Sequence, residues 1–415
     1  MPGLETSHSF DIAIVGGGMV GASLAVALAP LRLRVALIEA VPHDSASQPS
    51  FDERTTALSN GSRRILETLG VWPEVESVAT PIRKIHVSDQ GRFGIARIDS
   101  AEQGLEAMGY VVANRALGAA LWQSLQGAAG ARVFCPAHVS RVEGGEQVVS
   151  LEVVEDGATA LIDAKLVVAA DGVQSAVRGA FGVDAEVRDY GQTAVITSVL
   201  PQRFHEHVAY ERFTDSGPLA LLPLDGGRCT LVLTLNSATA QVAMGWSDAE
   251  FLAELQRRFG FRLGRFLKVG RRIPYPLSLT QAARTSAGRC VIVGNAAQGL
   301  HPVAGMGFNL GLRDIASLAE LIAERRCEPQ FDAGGAELLA EYDAWRAADR
   351  RGVIAFTDGV VRLFASPSGL VRGLRNIGLL AFDLLPPAKA ALSRLSTGAG
   401  TGARVPKLAR GVALQ

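Results

Sequence analysis

Short apolar runs alternate with glycine-rich and amphipathic segments along the chain, a pattern typical of strands and helices in succession. The apolar run Ile12–Val15 is followed by three glycines and an alanine-rich segment, and a second apolar run, Val35–Ile38, comes next. A run that is apolar at every position predicts a strand buried on both faces. The start of the chain therefore predicts strand, helix and strand in an α/β fold.

Strand patterns continue through the first two thirds of the chain. Short strands are predicted around Ile82–Ile98 and at Tyr110–Val112, and a helix at Leu117–Leu125. From Val133 to Leu166 the pattern is again that of strands, and it ends in LVVAADG. Residues 193–235 form a separate β-rich block in which apolar and polar positions alternate.

A helix and a returning strand follow the β-rich block. Ser247 and Glu250 have capping-box spacing, and Gly260 stands where the C-terminal cap of that helix belongs. The segment RCVIVGN then reads as one more buried strand, and the pattern is helical from about Asp314 to the end. The return to a strand after the β-block indicates two domains threaded through each other.

The first strand leads into a dinucleotide-binding motif. Gly16, Gly18 and Gly21 have G-x-G-x-x-G spacing, which permits a tight turn, approach of backbone to a pyrophosphate and close helix packing. The second strand ends in Glu39, 18 residues after Gly21. A carboxylate at that distance accepts hydrogen bonds from an adenosine ribose and repels a 2′-phosphate. The motif therefore predicts FAD or NAD rather than NADP.

Two other residues of the same turn, Gly17 and Val20, are included in the predicted cofactor contacts. The diphosphate would lie against the free amides at the start of the first helix. An ordinary α/β protein with a glycine-rich turn is the alternative interpretation of this segment.

Composition excludes several classes of partner. The chain has 415 residues with 41 basic and 41 acidic side chains, so no net charge favours nucleic acid. Its four cysteines are far apart in sequence, which favours a reducing compartment and argues against a thiolate metal site. Residues 12–31 are uncharged but interrupted by glycines and preceded by acids. We expect a cytoplasmic protein rather than a membrane span or signal peptide.

Three separated motifs resemble one family. The G-x-G-x-x-G turn, DGVQSAVR and VGNAAQGLHPVAGMGFNLGLRD together are similar to the FAD-dependent aromatic hydroxylases, the group A flavoprotein monooxygenases. FDERTTALS, GYVVANRAL, YGQTAV, AYERFTDSGPLALLPL and RNIGLL resemble the ubiquinone-biosynthesis hydroxylases, most closely the 2-polyprenyl-6-methoxyphenol hydroxylase type. The resemblance covers nearly the whole chain.

The resemblance implies a fold and a domain division. It is an α/β fold in which a Rossmann-like FAD-binding domain interleaves with a β-sheet substrate domain, as in p-hydroxybenzoate hydroxylase, followed by C-terminal helices. The expected segments are residues 8–80, 113–182 and 284–333 for the FAD-binding domain, 81–112 and 183–283 for the substrate domain, and 334–415 for a helical region and basic tail.

The late loop, which begins at Gly294 and contains the glycines up to Gly307, would hold the flavin ring. By resemblance, backbone amides near Gly305, Met306 and Gly307 face the pyrimidine edge of the isoalloxazine, and Asn309 fixes the loop. Neutral amides stabilise negative charge on the reduced flavin without a titrating group. Asn295 stands where the wider family usually has an aspartate for a ribityl hydroxyl, and Met306 where glutamine is common.

Four further residues are carried over from the family. Arg54 is expected near the diphosphate or ribityl chain, Asn114 beside the cofactor, and Asp171 with Gly172 in a turn that packs on the FAD. Each of the three polar side chains also has an interpretation that involves no cofactor: a surface salt bridge for Arg54, a helix cap for Asn114 and a turn residue for Asp171.

The reaction implied by the resemblance is aromatic hydroxylation. Flavin reduced by NAD(P)H takes up dioxygen as a hydroperoxyflavin, which attacks an electron-rich phenol in a site that excludes water. We expect an apolar pocket with Leu222, Pro302 and Tyr210 among its walls. No catalytic base is assigned. Tyr190 and Tyr210 are candidates, and His301 is either a proton donor or a packing residue.

No metal site is predicted. His205 and His207 would point the same way on a strand, but a third ligand is missing nearby. Nothing in the sequence resembles the machinery of a hydrolase. Two other functions share the FAD motifs: a flavin-dependent reductase of an isoprenoid lipid, and a non-catalytic flavoprotein scaffold.

The implied substrate, a polyprenylated phenol, determines the expected partners. Its tail must stay out of water, so access from a membrane surface or from proteins of a ubiquinone-biosynthesis complex is expected. Residues 384–415 carry five basic side chains and no acid, which suits anionic headgroups or an acidic partner, or simply a solvated tail. Nucleic acid is not expected, and the sequence leaves the oligomeric state open.

Overall fold

The computed structural model describes residues 7–365 and 404–414, apart from positions 46, 47, 49, 53, 129 and 302–304. Its strands, in chain order, are β1 (Ser7–Val15), β2 (Val35–Ile38), β3 (Thr55–Ser59), β4 (Thr80–Ile82), β5 (Lys84–Asp89), β6 (Ile95–Asp99), β7 (Gly109–Ala113), β8 (Ala131–Phe134), β9 (Ala137–Gly144), β10 (Val149–Glu155), β11 (Ala158–Ala169), β12 (Ala185–Pro201), β13 (Val208–Thr214), β14 (Gly217–Pro223), β15 (Cys229–Asn236), β16 (Phe266–Val269), β17 (Ile273–Ala282), β18 (Ser286–Ala287), β19 (Cys290–Ile292) and β20 (Gln298–Gly299).

The α-helices of the described residues alternate with these strands. They are α1 (Met19–Leu28), α2 (Asn60–Thr68), α3 (Trp72–Val75), α4 (Asn114–Gln126), α5 (Ala176–Ala180), α6 (Ser237–Met244), α7 (Asp248–Phe259), α8 (Met306–Arg325) and α9 (Ala336–Ala365). The predicted capping box of α7 is confirmed, because Ser247 and Glu250 each bond the other's backbone. None of these helices combines the length and the apolar character that a membrane crossing needs.

The first sheet forms the centre of the α/β part. Its strand order is β18-β19-β11-β1-β2-β8, and β10 and β9 extend it antiparallel from β11. β1 runs parallel to both neighbours, with Ile14 opposite Val168 on one side and Leu37 on the other. All three side chains are fully buried. The uninterrupted apolar runs therefore form strands that are covered on both faces, as expected for parallel sheets.

The second sheet has nine strands and two unlike faces. Its order is β20-β17-β12-β15-β14-β13-β5-β6, with β16 paired to β12. On one face Leu221 and Leu233 are buried in a cluster with residues of α6 and α7. On the other face Leu222 and Val232 keep partial exposure. Because side chains alternate across a strand, one side of this sheet is a packed core, and the other, called the cleft face below, is only partly covered.

A small antiparallel sheet, in the order β3-β7-β4, joins the two larger ones. The Thr55 hydroxyl of β3 lies 2.8 Å from the Thr230 hydroxyl on the cleft side of the second sheet. Further along β3, the backbone of Ala57 and Ser59 bonds the Asn309 side chain near the start of α8. β3 is therefore the bridge between the cleft and the α/β part.

The division into two interleaved domains stays a proposal, and two features cross its expected boundaries. β4 and β7 lie in the segment assigned to the substrate domain but pair with β3 or with each other, not with the nine-stranded sheet. β20, in the segment assigned to the FAD-binding domain, pairs with β17 of that sheet. The late loop is thus part of both units.

A buried ionic network holds α8 against α9. The Asp314 carboxylate of α8 is fully buried and accepts hydrogen bonds from Arg346 Nε at 2.9 Å, Arg350 Nε at 3.2 Å and Gln298 Nε2 at 2.9 Å. Burial alone would raise the pKa of Asp314, but Arg350 and Arg346 together hold it below its usual value. The network connects the late loop, through Gln298, to both helices.

The C-terminal segment packs back onto α8. Arg404 lies 3.0 Å from Glu320 and 2.8 Å from Glu324, and Lys407 lies 2.8 Å from Glu324. Leu408 is buried in the main core. Two of the five basic residues expected to form a cationic tail are therefore engaged within the molecule.

Replacing Asp314 with alanine is expected to destabilise the protein by about 3–5 kcal/mol, because it leaves buried arginines without their counter-charge. Chemical denaturation of the FAD-free protein measures this. Asp225→Ala is the matched control, since Asp225 pairs with Arg228 at the surface, with 73% of its side chain exposed. Equal losses for the two variants would contradict a structural role for the buried network.

Candidate functional site

The turn after β1 has room only for glycine at two positions. Gly16 has φ +104°, and a Cβ there would stand 2.4 Å from the carbonyl oxygen of Ala170. A Cβ on Gly21 would stand 1.9 Å from the Gly16 carbonyl oxygen. The two glycines therefore allow β1, α1 and the end of β11 to meet at one point.

Glu39, at the end of β2, lies beside this turn. Its Oε2 accepts a hydrogen bond from the Gly17 amide at 2.5 Å, and its Oε1 accepts one from the Val41 amide at 2.9 Å. A Cβ on Gly18 would meet the Ser50 hydroxyl at 2.7 Å. The predicted ribose-binding carboxylate is thus fixed next to the start of α1.

The two helices that begin at the glycine motifs have no side-chain cap. Gly18 precedes α1, and Gly305, with φ +59°, precedes α8. Of the other helices, α2, α5, α6 and α7 have an N-cap side chain that accepts from the backbone (Ser59, Ser175, Asn236 and Ser247), whereas α3 and α4 also lack one. Uncapped helix starts leave backbone amides available for an anionic or acceptor-rich ligand.

Val20 joins the two motifs. A Cβ built on Gly294, at the start of the late loop, would lie 3.0 Å from the Val20 side chain, and one on Gly311 of α8 would lie 2.9 Å from it. Gly307 precedes Gly311 by one helical turn, about 6 Å at the α-helical rise. The early and late glycine segments are therefore close enough for one extended dinucleotide to reach both.

Asn309 fixes the start of α8 against β3. Its Oδ1 accepts a hydrogen bond from the Ser59 amide at 2.7 Å, and its Nδ2 donates to the carbonyls of Ala57 at 2.8 Å and Gly305 at 2.6 Å. A Cβ on Gly305 would lie 3.0 Å from that of Ala57. One side chain thus sets the position of the late loop.

The other loop residues differ in exposure. Asn295 is exposed between buried neighbours. Gly307 has open space at its Cβ position. Met306 is buried with Leu310 and Val353 of α9, so its side chain secures the helix while its backbone remains at the loop.

Asp171 and Gly172 follow β11 beside the first turn. Asp171 Oδ2 accepts from the Val177 amide at 3.2 Å, while its Oδ1 is buried and has no hydrogen-bond partner within the described residues. Gly172 has φ +85°. A buried carboxylate oxygen of this kind calls for a donor such as a ribityl hydroxyl.

Arg54 and Asn114 lie around the start of β3. The Arg54 Nε is 2.5 Å from Asp52 Oδ2, and its guanidinium stands 5.4 Å from the ring centre of Tyr275. Asn114 Oδ1 accepts from the Thr56 hydroxyl at 2.7 Å. Asn114 is the first residue of α4 and does not cap it, since Ala113 occupies the N-cap position. Both side chains thus lie beside β3, and Arg54 also reaches β17 of the nine-stranded sheet.

Comparison with known proteins identifies this architecture. A family model described as an FAD binding domain matches residues 9–357. The chain is 39% identical to ubiquinone hydroxylase UbiL of Rhodospirillum rubrum over 97% of its own length and 93% of the relative's. It is 31% identical to 3-demethoxyubiquinol 3-hydroxylase of Escherichia coli over 91% and 96% of the two chains.

The chain belongs to the FAD-binding ubiquinone hydroxylases. The predicted family and FAD-dependent enzyme class are thereby confirmed. The fold is also that of p-nitrophenol 4-monooxygenase PnpA of Pseudomonas putida, with a TM-score of 0.77 at 20% identity, covering 96% of this chain and all of that one.

The residues of this hydroxylase fit FAD. The uncapped starts of α1 and α8 and the unsatisfied oxygen of Asp171 lie in neighbouring segments, because Gly16 is next to Asp171 and Val20 is next to Gly294 and Gly311. No positively charged side chain is needed there, because backbone amides supply the positive ends of peptide dipoles.

Two of the predicted pocket residues, Leu222 and Tyr210, lie on opposite faces of the nine-stranded sheet. Leu222 packs in a cluster with Ala57, Ala209 and Met108 on the cleft side of the nine-stranded sheet. Tyr210 packs on the opposite face, with its ring 5.4 Å from that of Phe259 in α7. Tyr210 is thus not brought to the cleft, because it alternates with Ala209 along β13. Pro302 lies outside the described residues.

Tyr190 and His301 lie together at the end of the late loop, their ring centres 5.4 Å apart. The Tyr190 hydroxyl donates to Asp358 of α9 at 3.2 Å. His301 is buried, and burial lowers its pKa to about 4. A proton-donating role as an imidazolium at neutral pH is therefore disfavoured, and packing is the better interpretation.

His205 and His207 are in a turn before β13, which corrects the expectation that they share a strand. His207 has φ +58°. The buried His205 contacts the Leu224 carbonyl through Nε2 at 2.8 Å, and its Nδ1 accepts from the His207 amide at 3.1 Å. The described residues contain no group of three metal-ligating side chains.

Glu211 is the cleft residue that sequence reasoning missed. It is an acid on the same side of β13 as Ala209, and burial raises its pKa to about 7. The alternation in AYERF places an acid on the face opposite Tyr210, which is a detectable signal. Only the sheet topology shows which face is the cleft.

Gly16→Ala is expected to weaken FAD binding at least roughly tenfold, since strain on the order of 2 kcal/mol at the turn is transmitted to the site. Titration of the FAD-free protein, followed by flavin fluorescence, measures the Kd. Gly179→Ala is the matched control, because a Cβ there meets nothing within 4 Å. Unchanged affinity in Gly16→Ala would contradict the assigned role of the turn.

Asn309→Ala is expected to cost about 1–3 kcal/mol of stability and to speed FAD release, because buried groups of β3 and the late loop lose their partner. Asn236→Ala removes a helix cap of similar worth far from the loop. FAD release from that control, timed by stopped-flow fluorescence, should match the unaltered protein. Equal release rates in both variants would count against Asn309 as the fixing residue.

Proposed function

We propose that this chain hydroxylates the aromatic ring of a polyprenylated phenol in ubiquinone biosynthesis, using FAD, NAD(P)H and dioxygen. One observation carries the proposal. Ala57 contacts both Gly305 of the late loop and the apolar cluster that contains Leu222. The cofactor path therefore opens onto a partly exposed apolar sheet face, the surface that an aromatic ring with a hydrocarbon tail requires. The names of the relatives, ubiquinone hydroxylases, support the substrate class.

The proposed contacts to FAD run from the first glycine turn to the late loop. Glu39 would hold the adenosine ribose, and the amides of the turn Gly16–Val20 and the start of α1 would hold the diphosphate. Asp171 and Asn295 would bond the ribityl chain. The amides of Gly305–Gly307 would face the isoalloxazine. The remaining members of the cofactor set are Gly21, Arg54, Asn114, Gly172 and Asn309.

When bound, FAD supplies the activation of dioxygen and the transfer of one oxygen atom, and the chain's own residues do the rest. Amides at the start of α8 stabilise negative charge at the flavin's pyrimidine edge. Leu222 and its neighbours exclude water and orient the ring. The sequence contains no second G-x-G-x-x-G, so we propose that the nicotinamide donor binds transiently against the FAD-binding part.

We also propose that the prenylated substrate reaches the cleft from a membrane surface or a partner protein. The long hydrocarbon tail supports this, because its transfer through water is costly. Since Arg404 and Lys407 pair with Glu320 and Glu324, a cationic contact would depend on Arg410, which is exposed, and on basic residues outside the described ranges.

Purified FAD-loaded protein given NAD(P)H and a short-chain 2-prenyl-6-methoxyphenol is expected to consume dioxygen and form one hydroxylated product per NAD(P)H oxidised. Oxygen uptake with mass spectrometry of the product, using ¹⁸O₂, measures both. The same phenol without its prenyl group is the matched control and should react more slowly, because it loses burial in the apolar cleft.

Two results would contradict the proposal. Saturation of a prenyl double bond without dioxygen uptake would indicate the reductase alternative. A yellow protein whose NAD(P)H oxidation is not stimulated by any prenylphenol would indicate a non-catalytic flavoprotein.

A further inference from the structure

One row of residues crosses the middle of the cleft face of the nine-stranded sheet. In register, Glu211 of β13 is opposite Ala220 of β14, Ala220 is opposite Val232 of β15, and Val232 is opposite Ile196 of β12. Directly opposite residues share a face. Ala220, Val232 and Ile196 are apolar and partly exposed. Glu211 is therefore the one acid in a row that otherwise forms an apolar floor.

This row lies beside the contacts that reach the cofactor path. Leu222 is two residues from Ala220 and is paired with Thr230, whose hydroxyl is 2.8 Å from that of Thr55 in β3. Ala209, two residues before Glu211, packs in the same cluster as Leu222. A two-residue step along a strand is about 7 Å, which is the size of an aromatic ring with its substituents.

Among the residues that the structure describes, no charged side chain neutralises Glu211. Its other cross-strand neighbour is Val87 of β5. The adjacent Arg212 donates to the Ser88 hydroxyl and the Arg258 carbonyl on the packed face.

The other charged side chains that the structure describes on the surrounding elements form ion pairs or hydrogen bonds elsewhere, or lie on the packed face. Asp89 of β5 pairs with Arg92 at 3.8 Å. Arg97 of β6 lies opposite His86, which faces Tyr210 on the packed side. Asp358 of α9, the helix that contacts β14, bonds Tyr190 and Arg188.

We propose that the Glu211 carboxylate accepts the proton of the substrate's phenol hydroxyl during ring hydroxylation, an inference that rests on the proposed function. The transfer moves one proton and no electrons. The phenol O–H bond breaks, a carboxyl O–H bond forms, and the negative charge passes to the phenolate oxygen. The phenolate ring is more electron-rich and thus more reactive toward oxygen transfer. Glu211 releases the proton to water or product before the next turnover.

The environment of Glu211 suits a base. Although the side chain keeps partial exposure, the surrounding protein removes most of its hydration, and this desolvation raises its pKa to about 7. A carboxylate with that pKa is a stronger base than an ordinary glutamate yet is still ionised in a large fraction of molecules at neutral pH. The tyrosine candidates are less suitable: Tyr190 donates to Asp358, and Tyr210 faces away from the cleft.

Glu211→Gln keeps the side-chain shape and removes the base. With FAD, NAD(P)H and the short-chain 2-prenyl-6-methoxyphenol, we expect hydroxylation to fall at least about 100-fold, while NAD(P)H oxidation continues with release of hydrogen peroxide. Hydroxylation by the unaltered protein should rise with pH around 7, whereas the residual rate of the variant should be flat. Asp215→Asn, on the exposed turn after β13, is the matched control and should behave like the unaltered protein.

Thermal unfolding supplies a readout that is independent of turnover. A raised pKa means that the folded protein holds this proton more tightly than the unfolded chain does. The stabilisation is complete below the ordinary glutamate pKa and is lost progressively as pH rises from there to about 7. Glu211→Gln should therefore gain Tm relative to the unaltered protein at pH 8 and match it at pH 4.

Four outcomes would overturn the proposal. Glu211→Gln could hydroxylate within threefold of the unaltered protein and keep its pH profile, or the Tm difference could be independent of pH. Tyr190→Phe rather than Glu211→Gln could flatten the profile, which would assign the base to Tyr190. Absence of hydroxylated product from the unaltered protein would defeat the proposed function together with this assignment. Product formation with an unaffected Glu211→Gln defeats the assignment alone.

Discussion

The close approach of α1 and α8 at Val20 is the constraint on which the rest of the site depends. The Val20 side chain fills the space where Gly294 and Gly311 have no Cβ. A larger residue at Gly311 would force α8 away from α1, and one at Gly294 would force the late loop away from α1. Because the interior is close-packed, such a shift could not stay local. This contact brings together the starts of two helices that are nearly three hundred residues apart in sequence, where we propose that one cofactor binds. Both starts present backbone amides, so the site gains its positive potential without a titrating group.

Two sets of contacts connect the start of α8 to the cleft face of the nine-stranded sheet. Asn309 secures the start of α8 to β3, and Thr55 of β3 contacts Thr230 in the nine-stranded sheet. The sheet offers the cleft an apolar floor interrupted by Glu211. An apolar floor excludes water and so strengthens electrostatic effects within the cleft, including the basicity of that carboxylate. The apolar floor would therefore account both for the exclusion of water and for the ability of Glu211 to accept a proton.

Much of the fold and the early half of the site could be predicted from sequence because their signals are local. The glycine spacing of Gly16, Gly18 and Gly21 and the capping box of α7 depend on residues within a few positions of each other. The face on which Tyr210 lies could not be predicted, since it depends on where α6 and α7 pack. The turn at His205 and the pairing of Arg404 with Glu320 arise from tertiary contacts that no local pattern records. Glu211 was missed for the same reason. The alternation along β13 shows that Glu211 and Tyr210 lie on opposite faces, but only the sheet topology shows which of the two faces is packed.

The central claim is that one FAD is held by both glycine segments at once. Amide hydrogen exchange of the FAD-free protein, titrated to one equivalent of FAD, tests it most directly. Protection of residues 16–21 and 305–309 should rise together and reach a plateau at one FAD per chain. Protection confined to residues 16–21, or a second equivalent needed to protect residues 305–309, would contradict the account.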